Sequence, residues 1–262
     1  MLSTKLSLFL GFVLVNTDIG SAQEICNNQV LTGNYPDGVT VKRGKWCTLD
    51  GADLKGKNIF CEEGCRDLTI KDTKNIEKIE YVKPRRNSQL QIIRSELEGE
   101  VKVSEGKNIG VTLIDACGSS EGVAKLLVEK LTGSSSIRVL TNDNMHSTGC
   151  TCKGLGEVKV VESRGGPFTF RASDDLCPLK IKNGVLFQKN SADIDLFLIQ
   201  ATSGDLVFDE NDGQVDVTGS FDSGKEVKFI KNDHDVSITC VGESPKNIVF
   251  DSNLGQENEI GC

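Results

Sequence analysis

The sequence predicts an all-β protein in which short strands wind into a parallel β-solenoid. Three observations predict it: apolar and polar residues alternate in short runs, an Asn or Asp recurs at the start of such runs, and the chain carries ten cysteines. Alternation with a period of two places one face of a strand on a core and the other face in water. A repeated unit that is too small to bury its own apolar face is typical of a solenoid, in which neighbouring units stack to form a continuous core.

The alternating runs extend along the chain from Val39 onward. Gly, Asn, Asp and Ser separate them at intervals of roughly 8–12 residues, a spacing typical of all-β folds. The segment from Ser120 to Leu131 fits helical spacing as well as strand alternation, and its β surroundings favour a strand. The clearest runs are residues 39–41, 68–70, 90–92, 101–103, 158–160, 168–170, 179–181, 215–217, 227–229 and 236–238.

A short pattern marks the corners between runs: Asn or Asp, an aliphatic residue, any residue, and an apolar residue. We interpret its first position as a turn residue that adopts a left-handed backbone or bonds its own main chain. The spacing is irregular, but intervals of 33 residues from Asn75 to Asn108 and 30 from Asp205 to Asp235 suit coils of three strands. The pattern begins at Asn58, Asp67, Asn108, Asp193, Asp205, Asp235 and Asn247, with an imperfect copy at Asn75.

Two segments near the beginning of the chain carry a family resemblance. Gly38-Val-Thr-Val-Lys-Arg-Gly44 and Cys47-Thr-Leu-Asp-Gly51 resemble the opening coils of right-handed parallel β-helix proteins of the pectate-lyase-like superfamily. The Asn-Ile-x-apolar steps resemble them too, and the resemblance extends over residues 39–250. It implies a right-handed parallel β-helix, and a β-sandwich with similar turns is the alternative.

The first residues have the organisation of a secretory signal peptide. Lys5 precedes an apolar run over residues 6–15, and small residues follow at Gly20-Ser21-Ala22. The run is too short to span a bilayer as a helix. We therefore expect residues 1–22 to be a signal peptide and residues 23–262 to form a single secreted β-solenoid domain in the extracellular space, without membrane insertion.

The ten cysteines of the expected mature chain predict disulfides, because an even number in an exported protein is typical of a disulfide framework. We expect Cys26 to pair with Cys47 and Cys240 with Cys262, since these bonds would pin the two ends against fraying. Zinc is disfavoured because the spacings lack the two-residue gap of a ligand pair. The cysteines are Cys26, Cys47, Cys61, Cys65, Cys117, Cys150, Cys152, Cys177, Cys240 and Cys262.

The motifs favour a protein without catalytic activity and without a cofactor. Of the two histidines, His146 and His234 both fall in polar turn-like clusters, where a solvated role is typical. The acidic stretch 209–213 has its glycine one place early for an EF-hand and predicts a turn. The alternative implied by the resemblance is a Ca²⁺-dependent lyase acting on acidic polysaccharide, with Arg171 as the base and Asp174 and Asp175 near the ion.

Partners are constrained by charge. A net charge of −8 argues against nucleic acid and against anionic membranes. Four cations, Lys159, Arg171, Lys180 and Lys182, alternate with apolar residues on successive runs and predict an outward basic strip if those strands stack. We expect a secreted, non-enzymatic protein that acts through its surface on an extracellular polysaccharide, a wall or matrix, a cell-surface protein, or another organism.

Overall fold

The computed structural model describes residues 23–118, 124–141, 154–173 and 177–262. Within these ranges the chain forms strands and turns without any helix, and neighbouring strands in each sheet pair in parallel. The strands wind into a β-solenoid of about 10 turns, so the predicted fold is confirmed. The β-sandwich alternative is wrong, because sandwiches are built from antiparallel sheets.

Each coil of the solenoid contributes one strand to each of two sheets. The first sheet contains β1 (Glu24–Cys26), β3 (Val39–Val41), β5 (Asp53–Cys61), β7 (Lys74–Val82), β9 (Glu96–Ser104), β11 (Cys117–Gly118), β12 (Lys125–Glu129), β14 (Glu157–Val161), β17 (Val185–Gln188), β19 (Leu206–Asp209), β21 (Glu226–Ile230) and β23 (Asn247–Asp251). The second sheet contains β2 (Gln29–Leu31), β4 (Cys47–Asp50), β6 (Leu68–Lys71), β8 (Gln89–Ile93), β10 (Gly110–Ile114), β13 (Ser135–Thr141), β15 (Gly165–Ala172), β16 (Leu179–Ile181), β18 (Ile194–Ala201), β20 (Val215–Phe221), β22 (Val236–Cys240) and β24 (Glu257–Ile260).

The core lies between the two sheets and is made of the apolar half of each alternating run. In β20, for example, Val215, Val217 and Phe221 are buried, and Asp216, Thr218 and Ser220 are partly exposed. All the runs singled out in the sequence are strands. Within the segment around residues 120–131, residues 125–129 form a strand, and residues 119–123 lie outside the described residues.

The regular coil is 21 residues long and contains two main strands. Phe187, Phe208 and Phe229 are register neighbours in the first sheet, each 21 residues after the last. In the middle of the chain the coils are longer: Leu126 pairs with Val158, 32 residues on. The prediction of three strands per coil is wrong, because the 33-residue and 30-residue intervals join corners that lie before strands of different sheets.

Six of the eight predicted corner residues behave in two ways, whereas Asn58 and Asn247 lie in β5 and β23 without a left-handed backbone. Asn75 and Asn108 adopt the left-handed backbone, with φ of 56° and 53°. Four aspartates instead accept a hydrogen bond from a main-chain N–H one coil further on, so the predicted bond to their own main chain is wrong. These bonds join coils at N···O distances between 2.8 and 3.2 Å, from Gln89 to Asp67, Gln214 to Asp193, Glu226 to Asp205 and Gln256 to Asp235.

Most of the non-glycine residues with a left-handed backbone are charged residues that sequence reasoning did not single out. A column of them follows the strands of the first sheet, and its sign alternates from one coil to the next. Opposite charges in neighbouring coils avoid the repulsion that like charges at strand spacing would cause; Lys83 Nζ lies 3.4 Å from Glu105 Oε2, for example. The column contains Lys83, Glu105, Lys130, Glu162, Lys189, Glu210 and Lys231.

A ladder of buried asparagines runs along one corner of the last coils. Asn190, Asn211 and Asn232 have no exposed surface, and Asn253 continues the column. The side-chain carbonyls of Asn211, Asn232 and Asn253 each accept from the main-chain and side-chain N–H groups of the asparagine one coil earlier, at 3.0 to 3.2 Å, and that of Asn190 accepts from the Ser163 main-chain N–H at 3.0 Å. Each amide also donates to a main-chain carbonyl of the preceding coil. The ladder thereby satisfies buried main-chain groups at a corner where the sheets supply no partner.

A stack of phenylalanines fills the core beside this ladder. The rings of Phe187, Phe208, Phe229 and Phe250 lie 5.7, 5.1 and 5.3 Å apart between centroids, with interplanar angles of 7°, 11° and 10°. The strand register places one ring directly above the next, because each coil repeats the same inward position. Offset stacking of this kind adds to the free energy of apolar burial.

Disulfides hold both ends of the described chain. Cys26 is bonded to Cys47 and Cys240 to Cys262, so both predicted pairings are confirmed. Cys61 and Cys65 form a third bond that closes the turn after β5. Cys177 is also disulfide-bonded, and Cys150 and Cys152 lie outside the described residues.

The predicted signal peptide, residues 1–22, lies outside the described residues. In the part of the chain that the structure describes, no helix has the length and apolar character needed to cross a membrane. The disulfides fit an extracellular protein, since such bonds persist in oxidising compartments.

Tyr81 gives a pH-dependent test of the core. Its hydroxyl donates to the Arg66 carbonyl at 2.8 Å, and burial raises its pKa above the ordinary value of 10.0. The unfolded chain therefore ionises first, so the stabilisation is fully present below pH 10 and is lost as the pH rises further. Above pH 10 we expect Tyr81 to lower the free energy of unfolding by up to about 1.4 kcal/mol per pH unit.

Urea unfolding at pH 9, 10 and 11 measures this effect, and Tyr81→Phe should remove most of the additional loss above pH 10. Tyr35→Phe is the matched control, because Tyr35 is only partly buried at the edge of the core. Equal pH dependence in the wild type and Tyr81→Phe would contradict the prediction.

Candidate functional site

The four predicted cations do not form one strip. Lys159 lies on β14 in the first sheet, between Leu127 and Leu186. Arg171 lies on β15 in the second sheet, and Lys180 lies on β16 of that same sheet. The prediction assumed that successive runs stack on one another, whereas β14, with Lys159, and β15, with Arg171, belong to opposite sheets. Lys182 follows one residue after the end of β16.

Arg171 instead belongs to a polar cluster on the outer face of the second sheet. The predicted orientation of its strand is confirmed, with Phe168 and Phe170 buried and Arg171 exposed. Its Nη2 lies 3.3 Å from Asp195 Oδ2, and its guanidinium carbon lies 4.9 Å from the ring centroid of Phe197. Asp195 and Phe197 occupy the outward positions of β18, the neighbouring strand.

The next strand adds a second carboxylate. Asp216 on β20 is the register neighbour of Asp195, and it accepts hydrogen bonds from Ser237 Oγ at 2.8 Å and Gln214 Nε2 at 2.9 Å. Burial raises the pKa of Asp195 above its ordinary value, and the charge of Asp216 raises it further against the opposing effect of Arg171. Arg138 on β13 is the register neighbour of Thr169 on β15, and Thr169 is in turn the register neighbour of Asp195. Two arginines and two aspartates therefore share this face.

A bulge in β18 opens a groove beside this cluster. Leu198 has a φ of 55° and shifts the register of β18 against β20 by one residue. Gly219 allows the close approach that results, because a Cβ there would lie 2.4 Å from the Ile199 carbonyl oxygen. The groove encloses about 200 Å³ and is lined by Pro178, Leu198, Ile199, Gln200, Gly219, Ser220 and Val241.

A second depression adjoins the groove at Gln200 and Ser220. It encloses about 110 Å³ and adds Thr202, Asp222 and Glu243. The outer face of the second sheet thus presents an aromatic ring, hydroxyls, amides and charged groups in a row. We call the residues Arg171, Asp195, Phe197, Asp216, Gln200 and Ser220 the polar face.

The polar face offers recognition groups more readily than catalytic ones. The Arg171 side chain is already engaged by a carboxylate and an aromatic ring, which disfavours its predicted role as a base. Asp174 and Asp175, the predicted Ca²⁺ ligands, lie outside the described residues. Among the residues that are described, no group of three or more His, Cys, Asp or Glu side chains could hold a metal ion.

The other candidate residues lie in structural settings. His234 Nε2 lies 3.3 Å from Asp212 Oδ1 in an exposed turn, as the sequence predicted, and His146 is outside the described ranges. The stretch 209–213 forms the corner after β19, where Asn211 belongs to the buried ladder. Hydrogen bonds from Lys55 and Asn75 hold the pKa of the buried Asp53 carboxyl well below its ordinary value, which makes it a poor proton donor.

A second charged surface lies on the first sheet and is internally neutralised. Lys78 Nζ lies 2.7 Å from Glu80 Oε1 and 3.8 Å from Glu100 Oε1, and Lys125 Nζ lies 3.7 Å from Glu157 Oε2. Side chains already paired in this way are less suited to gripping a charged ligand, because binding would first have to break the pairs.

The chain was compared with protein-family models, curated proteins and solved structures. No protein-family model, no curated protein and no solved structure matches the chain. The parallel β-solenoid is established by the strand pairing, while membership of the pectate-lyase-like superfamily stays a prediction from the short motifs.

Proposed function

We propose that this chain is a secreted, non-enzymatic β-solenoid that binds an extracellular polysaccharide through its polar face. Residues 1–22 serve as the signal peptide in this proposal, and the disulfides fit the oxidising compartment that it implies. The observation that carries the proposal is the line of an exposed aromatic ring, paired charges and hydroxyl groups beside a groove on one rigid sheet. Concave sites with a few convergent polar groups are typical of ligand binding.

The charge of the polar face selects among polysaccharides. Arg138 and Arg171 are balanced by Asp195 and Asp216 on the same outer surface. A balanced set of donors and acceptors suits a hydroxyl-rich chain, which offers both, better than the polyanion that a strip of four cations would have gripped. The part of Phe197 that stays exposed, 36% of its surface, provides an apolar patch for a sugar ring.

Retention in gels that contain cellulose, xylan, chitin fragments, pectin or alginate tests this proposal. We expect retention on at least one neutral polysaccharide, and the double variant Phe197→Ala with Asp216→Asn should weaken it about thirtyfold, since each of the two lost contacts contributes on the order of 1 kcal/mol. Lys159→Gln is the matched control, because Lys159 lies on the opposite sheet.

Three results would overturn the proposal. Unchanged retention of the double variant would remove the polar face from binding, and an equal loss in Lys159→Gln would point to the first sheet. Release of unsaturated uronate from pectin or alginate in the presence of Ca²⁺ would establish the lyase instead.

A further inference from the structure

The last coil of the described chain carries an open strand edge in both sheets. The path of hydrogen-bonded strands ends at β23 in the first sheet and at β24 in the second, so each of these strands has a neighbour on one side only. The 21-residue register continues unchanged into this coil, from Phe229 to Phe250 and from Val236 to Glu257. A parallel edge in unbroken register is a template on which a further strand can pair.

The first-sheet half of this coil still presents core residues. Ile248 and Phe250 face inward, pack on the preceding coil, and are only partly buried, since no further coil covers them. The edge therefore combines unpaired main-chain groups with apolar surface, which is the combination that promotes strand addition.

The second-sheet half of the same coil has the opposite character. The register places Glu257 after Val236 and Glu259 after Ile238, at the two inward positions of β24. Val236 and Ile238 have no exposed surface, whereas both glutamates are exposed. A further coil laid on this edge would have to bury two carboxylates, and burying an unpaired charge is strongly unfavourable.

Glu257 also ends the asparagine ladder. In the inner coils, each asparagine amide donates to the carbonyl oxygen of the next asparagine, as Asn232 Nδ2 does to Asn253 Oδ1 at 3.0 Å. Asn253 Nδ2 donates instead to Glu257 Oε1 at 3.0 Å. The Asn253 amide, which a further asparagine would accept from in an inner coil, therefore finds its acceptor inside the last coil itself.

The opposite end of the molecule carries an acidic residue in a comparable place. Glu24 is the register neighbour of the inward Val39 on the first strand of the solenoid, and it is exposed. Stacking the first coil of one molecule on the last coil of another would set Glu24 over the inward positions of β23 in the first sheet, so the contact would bury a third carboxylate in addition to Glu257 and Glu259.

We propose that Glu257 and Glu259 form a charged stop that prevents the first coil of a second copy from pairing with the last coil of this chain. Without the stop, the contact would be head-to-tail and would leave a free edge on each added molecule. Such heterologous contacts produce open filaments rather than closed oligomers. The two glutamates thus hold the molecule in a single-copy form despite the open strand edge of its last described coil.

The experiment compares the wild type with the double variant Glu257→Val/Glu259→Ile. The variant places on β24 the same residues that stand at the matching inward positions of β22, Val236 and Ile238. Sedimentation velocity over a range of protein concentrations measures assembly. We expect the wild type to remain monomeric and the variant to show an average mass that rises with concentration to about twice the monomer mass or more.

Two further variants keep the result decisive. Asp251→Val/Asn258→Val adds apolar residues at outward or exposed positions of the same coil, and it should remain monomeric. Glu257→Gln/Glu259→Gln removes the charges while keeping an acceptor for Asn253, and it should assemble more weakly than the apolar variant. Assembly of the wild type, equal assembly of the outward variant, or folded monomers in both inward variants would overturn the proposal.

Discussion

Replacing Asn211 by alanine is expected to lower the free energy of unfolding by about 3–5 kcal/mol, because several buried groups lose their partners together. Asn211 Oδ1 accepts from the main-chain and side-chain nitrogens of Asn190, and its Nδ2 donates to the Phe187 carbonyl and to Asn232 Oδ1. Water cannot replace these bonds, since Asn190, Asn211 and Asn232 are fully buried. Urea unfolding and hydrogen exchange of the Asn190 amide measure the effect.

Asn253→Ala is the matched control for this prediction. Asn253 occupies the same position in the last coil and is only partly buried, so water can take over the lost bonds. We expect its cost to be about 1 kcal/mol. Equal costs at Asn211 and Asn253 would show that the buried ladder contributes no more than ordinary exposed hydrogen bonds.

Phe208→Ala is expected to cost about 3–5 kcal/mol, since it removes a fully buried ring and leaves a cavity inside a stack. The Phe208 ring lies between Phe187 at 5.7 Å and Phe229 at 5.1 Å, so both neighbours lose their contact surface. Phe208→Leu keeps most of the volume and should cost less than about 1.5 kcal/mol. Chemical unfolding of the two variants, monitored by far-ultraviolet circular dichroism, gives both values.

The end of the stack again supplies the control. Phe250 contacts one ring only, at 5.3 Å, and is partly exposed, so Phe250→Ala should cost clearly less than Phe208→Ala. A cost at Phe250 as large as that at Phe208 would contradict the argument that covering by a further coil provides the additional stabilisation.

The strands and their orientation could be predicted from the sequence because they depend on local alternation. Phe168 and Phe170 point inward and Arg171 outward, as the period of two requires. The bonds Cys26–Cys47 and Cys240–Cys262 were also predicted, because they lie where unbonded ends would fray. The coil length was missed, since the longer middle coils hide the 21-residue period that is visible from Asn190 to Asn253.

The polar face was missed for a different reason. Arg171 and Asp195 are 24 residues apart, and only the strand register shows that they are neighbours. The predicted strip of Lys159 and Arg171 failed on the same point, because a sequence alone does not say that consecutive runs alternate between two sheets. A repeated spacing of asparagines and phenylalanines was the signal that could have supplied the register.

The two terminal disulfides have a mechanical consequence. In a parallel solenoid, tension applied to the two termini peels coils away one by one, and each regular 21-residue coil would release about 70 Å of extended chain. Cys26–Cys47 ties the first coil to the second, and Cys240–Cys262 ties the last coil to the one before it. While both bonds are intact, the segments between the paired cysteines therefore release no length under tension, and the force passes directly to Cys47 and Cys240 in the neighbouring coils.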